Sequence, residues 1–107
     1  MYTELNGRVW STEENYLKNK SNDRKILKAS LALENYADCN NRNDIYNDEC
    51  FVMLNEYYKN KPNMSEQQLL ETTSLLVEKF DLLFNKIGRD NFIFYDDGDI
   101  NFIWKKN

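Results

Sequence analysis

Apolar positions recur at helical spacing through most of the chain and change to strict alternation only near its end. Ser11 or Thr12 stands where a first helix needs a cap, and Ser11 with Glu14 has capping-box spacing. This helix is expected to reach about Lys20, anchored by Tyr16 and Leu17. Asn22 or Asp23 is expected to cap a second helix ending near Cys39. There Ile26, Ala29, Leu33, Tyr36 and Ala37 share one face, and Leu27 and Leu31 widen it toward a second neighbour. After the polar loop from Asn40 to Asn43, Asp44 is expected to cap a third helix to about Lys59. Its inner side carries Ile45, Cys50 or Phe51, Leu54 and Tyr58, with Val52 beside them. Pro62 closes it, because the residue before a proline is pushed out of the α region.

The strongest periodic segment opens at Ser65, which with Gln68 forms a second capping-box pattern. Leu69, Thr73, Leu76, Phe80, Leu83 and Ile87 form its central line, Leu70, Val77 and Phe84 lie beside it, and Gly88 stands where a left-handed C-cap belongs. At roughly 33 Å this helix is the expected spine of the core.

From Phe92 the period becomes two. Phe92-Ile93-Phe94-Tyr95 and Ile100 to Trp104 flank Asp97-Gly98, a type I′ signal that predicts a C-terminal β-hairpin. That turn pairs Tyr95 with Ile100 and Ile93 with Phe102 on one face, and Phe94 with Asn101 and Phe92 with Ile103 on the other. Both faces are largely apolar. The second therefore calls for the N-terminal strands, a second copy in a homodimer, or a target. Asn6-Gly7 between Tyr2-Thr3-Glu4-Leu5 and Arg8-Val9-Trp10 predicts a short N-terminal hairpin by the same turn chemistry, the alternative being an irregular arm anchored by Trp10. The expected fold is α+β in a single domain, 1–107: three to four helices packed with a C-terminal antiparallel hairpin, extended by N-terminal strands.

Composition supports a folded chain of this kind. Hydrophobic residues make up 41% of the 107 and aromatic residues 14%, too many for a disordered segment. The net charge of -4 disfavours non-specific binding to DNA or anionic membranes, which rests on a positive field. The N-terminus is polar and no apolar run is long enough to cross a bilayer, so no membrane association and a cytoplasmic location are expected, with Cys39 and Cys50 reduced.

Candidate chemistry is sparse. The chain has no histidine, which removes the commonest general base and zinc ligand and makes Ser-His-Asp and Cys-His arrangements impossible. Asp96, Asp97 and Asp99, with Asp90 nearby, are the remaining candidates for a divalent-metal carboxylate site, but Asp and Gly are also ordinary turn residues. No glycine-rich phosphate loop is present. The expectation is a protein that is not an enzyme and has no cofactor.

Charge patterning separates two binding readings. Between positions 38 and 56, Asp38, Asp44, Asp48, Glu49 and Glu56 face only Arg42, with Tyr46, Tyr57 and Tyr58 among them. Together with Asp96, Asp97 and Asp99 this predicts an acidic, aromatic surface for a basic protein partner, where charge orients the encounter and aromatics supply affinity. A small inhibitor, or an immunity or antitoxin-like partner of the kind carried by phages and mobile elements, fits these features. The alternative is a small nucleic-acid-binding regulator. In it Lys18, Lys20, Arg24, Lys25 and Lys28, set against Asp23 alone, contact phosphates from two short helices joined around Ser21-Asn22.

Overall fold

The computed structural model describes residues 1–96 and 100–104, with side chains described through Phe94. The two helices expected on either side of Ser21-Asn22 are one helix, α1 (Glu13–Cys39), about 40 Å long. Thr12 is its N-cap, accepting the Asn15 N–H at 3.1 Å. Ser11 turns instead to Glu66, donating both its N–H and its hydroxyl to that carboxylate. No break occurs at Ser21-Asn22 because the residues that resemble caps are tethers to other helices. The Asn22 amide donates to the Thr73 and Ser74 hydroxyls, each at 3.2 Å. The Asp23 carboxylate accepts the Tyr57 hydroxyl at 2.6 Å and lies 3.0 Å from Lys61 Nζ.

The next helix starts later than its sequence pattern suggests. Arg42 grips Asp44 through Nε and Nη2, at 2.9 and 3.0 Å, so that carboxylate is not available to cap, and Asn43–Asn47 is a 3-10 turn. Asp48 caps α2 (Glu49–Asn60) instead, accepting the Cys50 N–H at 3.1 Å. A 3-10 turn, Lys61–Asn63, holds Pro62 where the helix stops. The longest predicted line becomes α3 (Glu66–Ile87), opened by both bonds of the Ser65–Gln68 capping box. Gly88 has the positive φ expected of it, but its ψ of 115° is extended rather than left-handed helical. It directs the chain through the 3-10 turn Arg89–Asn91 into β3 (Phe92–Asp96).

At the N-terminus β1 (Tyr2–Thr3) pairs antiparallel with β2 (Val9–Trp10), Tyr2 opposite Trp10. The turn is not the two-residue type I′ form. Glu4 N–H donates to Arg8 O and Gly7 N–H to Glu4 O, so Leu5 and Asn6 occupy the turn and Gly7, at φ 92°, takes the bulge position that follows it. The Asn6 side chain then accepts the Arg8 N–H.

β3 pairs antiparallel with the backbone of β4 (Ile100–Trp104), with Asp96 opposite Ile100 and Phe94 opposite Phe102. This register differs by one residue from the expected pairing of Tyr95 with Ile100. The predicted turn at Asp97-Gly98 lies outside the described residues, so a C-terminal hairpin is not shown. The N-terminal strands do not extend this pair, since the two sheets are separate. Length explains why. Tyr2 and Trp10 pack on Tyr16 near one end of α1, whereas Phe92 packs on Tyr36 some 30 Å further along it.

The core runs down the seam of α1 and α3 and is closed by α2. Ile26, Leu33 and Ala37 of α1 meet Leu69, Leu76 and Phe80 of α3, with Phe51, Leu54 and Tyr57 of α2 above them. Phe51 meets Phe80 edge-on, and Phe84 does the same to Phe92, which β3 inserts at the far end. Five assignments change, one of them Leu17, which is about half exposed instead of anchoring the helix. Leu27 and Leu31 do not widen the core, being about half exposed, and Val52 and Tyr58 also point outward. On α2 the inward residue is Tyr57, not Tyr58.

Candidate interaction surface

The residues expected to form one acidic surface are divided by the fold. Asp44, Asp48 and Glu49 are matched by cations of the same chain: Arg42 on Asp44, Lys86 Nζ 3.8 Å from Asp48, and Lys79 Nζ 3.3 Å from Glu49. The Arg42 hydrogen bond holds the Asp44 carboxyl below its ordinary range. Tyr57 is buried inside, and burial followed by its bond to Asp23 pushes its hydroxyl pKa well up. It does not contribute to a surface. The side chain of Asp96 and all of Asp97 and Asp99 lie outside the described residues. So does the hairpin face proposed for a homodimer, except that Ile93 is exposed while Phe92 and Phe94 turn toward Phe84.

A different group comes together on the outer flank of α1. Leu27, Leu31, Glu34 and Asp38 follow i, i+4, i+7, i+11 spacing and so form one stripe along the helix. The two leucines are 50% and 51% exposed, well above what a core position shows. Tyr46 borders the acidic end, its hydroxyl donating to Asp38 Oδ1 at 2.7 Å and lying 3.3 Å from Glu34 O. That bond, then burial, raises the Tyr46 pKa to about 12. Tyr58 is 49% exposed, and its hydroxyl pKa is raised first by burial and then by the charges of Asp23 and Glu34. Among the described residues no cation of this chain pairs with Glu34 or Asp38.

Sequence reasoning named Tyr46, Tyr58 and Asp38 but missed Leu27, Leu31 and Glu34 as surface residues. The signal was present: two leucines displaced by about 100° or more from the line through Ile26 and Leu33, followed on their own stripe by two acids.

The basic segment does not form a helix-turn-helix, because α1 is continuous. Lys18, Lys20, Arg24, Lys25 and Lys28 spread over roughly 160° of its circumference at about 100° per residue. Lys25 lines a groove with Glu78 and Asp81 of α3. Among the described residues no three His, Cys, Asp or Glu side chains are grouped to hold a metal ion. Cys39 is exposed and Cys50 buried, both unpaired, and burial raises the Cys50 thiol pKa. No described helix is long and apolar enough to cross a membrane. No protein-family model, curated protein or solved structure matches the chain.

Proposed function

We propose that this chain is a non-enzymatic binding protein that recognises a basic protein surface through the flank of α1. Leu27 and Leu31 are the apolar anchors, Tyr46 borders the acidic end, and Glu34 and Asp38 supply the charge. The observation that carries this reading is the contrast between the two acidic groups. The carboxylates at 44, 48 and 49 are matched internally, while those at 34 and 38 sit beside half-exposed leucines with no cation opposite among the described residues. A basic partner would supply the missing charges, and burying the leucines would add the apolar contribution that exposed ion pairs lack. The form we favour is occlusion of the partner's surface, as an inhibitor or an immunity or antitoxin-like factor does.

The test is affinity capture from the source cells, followed by calorimetry with the captured protein once purified. The reading expects a basic partner whose binding is lost in both Leu27→Asp/Leu31→Asp and Glu34→Lys/Asp38→Lys. It also expects Lys18→Glu/Lys25→Glu/Lys28→Glu to bind as before. Binding that survives both flank variants overturns the reading. Retention on nucleic acid that only the lysine variant abolishes would favour the basic segment instead.

A further inference from the structure

We propose that the pocket between the N-terminal strand pair and the α1–α3 seam binds a phosphate group, held by Arg8, Lys20 and Asn19. The pocket has a volume of about 190 Å³, well above the roughly 10–15 Å³ a single water needs. Glu4, Arg8 and Trp10 wall it from the strand side, Asn19, Lys20 and Asp23 from α1, and Lys61 from the turn after α2.

Its carboxylates already have donors. Glu4 accepts the Trp10 indole N–H at 3.2 Å, and Asp23 accepts from Tyr57 and Lys61. The cations are less committed. Arg8 spends two of its five N–H donors on the carbonyls of Met64 and Lys61, at 3.1 and 3.2 Å, and meets no carboxylate among the described residues. Lys20 has no carboxylate partner among the described residues, only the Tyr16 ring 5.8 Å from its Nζ. The electrostatic capacity left in the pocket is therefore positive.

Asn19 adds a more specific requirement. It is 95% buried, yet both its contacts are long: Nδ2 lies 3.4 Å from Asp23 Oδ2, and Oδ1 lies 3.4 Å from Thr73 Oγ1. The Thr73 hydroxyl has a single proton, and Leu69 O at 2.8 Å is its nearest acceptor. Asn19 Oδ1 is then left without a donor, and one Nδ2 hydrogen without an acceptor. Turning the amide over sets its oxygen against the Asp23 carboxylate, which is worse. Leaving a buried amide in this condition is costly. A hydrogen phosphate corrects both faults, since its P–O⁻ accepts from Nδ2 and its P–OH donates to Oδ1. With Lys61 set against Asp23 and one cation offset by Glu4, the pocket keeps one net positive charge, which matches the singly charged form.

The test is an NMR titration of the whole chain near pH 7 with inorganic phosphate and, separately, with glycerol phosphate, at ionic strength fixed with sodium chloride. The expected result is saturable shifts of the Trp10 indole and Asn19 amide signals with Kd below about 1 mM, and binding weakened about tenfold in Lys20→Gln. The tighter arm tells free phosphate from a phosphomonoester. Lys20 is the primary variant because its side chain is exposed and holds no structural bond, so its replacement leaves the fold intact. Linear drift in both arms, or equal affinity in Lys20→Gln, overturns the proposal and leaves an ordered water only.

Discussion

Replacing Asp23 distinguishes a tether from a cap. A cap at the start of a helix contributes about 1 kcal/mol and is indifferent to a side chain on another helix. In this fold Asp23 lies inside α1 and accepts the hydroxyl of Tyr57, which is 2% exposed, at 2.6 Å. A hydrogen bond to a charged group contributes about 1.5–3 kcal/mol, and removing the acceptor strands a buried donor. The 3.0 Å pair with Lys61 adds little, since both side chains reach solvent, at 42% and 28% exposure. The better helix propensity of alanine returns up to about 0.7 kcal/mol. Asp23→Ala is therefore expected to lose about 2 kcal/mol and Tyr57→Phe about 1–2 kcal/mol, with the double variant well short of their sum. Urea unfolding followed by circular dichroism on the four proteins measures the coupling, expected at about 1–2 kcal/mol. Additivity within about 0.5 kcal/mol would refute the tether.

Four further outcomes follow from the packing and hydrogen bonds described above. Leu33→Ala, at a fully buried position, is expected to cost about 2–5 kcal/mol. Leu31→Glu, two residues away but half exposed, should change stability by about 0.5 kcal/mol or less in the same urea assay. Glu66 has its pKa lowered from 4.5 by bonds from Ser11 and Asn15. Its contribution is complete above 4.5 and lost as pH falls through the depressed folded value, so acid unfolding of Glu66→Gln should show less destabilisation across that window than the parent. Gly88→Ala should lower the melting temperature, because φ is 112° and a Cβ would sit 3.2 Å from Asn91 Nδ2, at a cost of at least about 1 kcal/mol.

Sequence pattern located what local chemistry decides. The Ser65–Gln68 box, the apolar line to Phe80 and Leu83, and the positive φ of Gly88 are settled within a few residues of chain. The N-terminal turn has Leu5 and Asn6 at its centre and Gly7 in the bulge instead of the two-residue form, and Arg8 ties it to the carbonyls at 61 and 64, contacts that no neighbouring residue reveals. The same is true of Asp48, whose role as cap depends on Arg42 having taken Asp44. The outer flank of α1 was hidden for another reason. Periodicity shows that Leu27 and Leu31 are apolar but not whether another element covers them, and that depends on where α3, β4 and the 3-10 turn Asn43–Asn47 lie against α1. The polar pocket was invisible, since Arg8, Asn19, Lys20 and Lys61 are brought together only by tertiary packing.

The tethers at Asn22 and Asp23 also bear on how α1 forms. Their partners lie 34 to 52 residues further along the chain, so the side-chain support of the helix through Asn22 and Asp23, the long Asn19–Asp23 contact apart, waits until α2 and α3 have arrived. Before that, these residues favour their own backbone and interrupt the helix. The expectation is that the helix becomes continuous through these residues only once α2 and α3 have packed. The middle of α1 should then be a late-forming, easily opened segment, with amides at 21–24 exchanging faster than those at 30–34. Equal protection along the whole helix would mean that its continuity comes from the backbone alone.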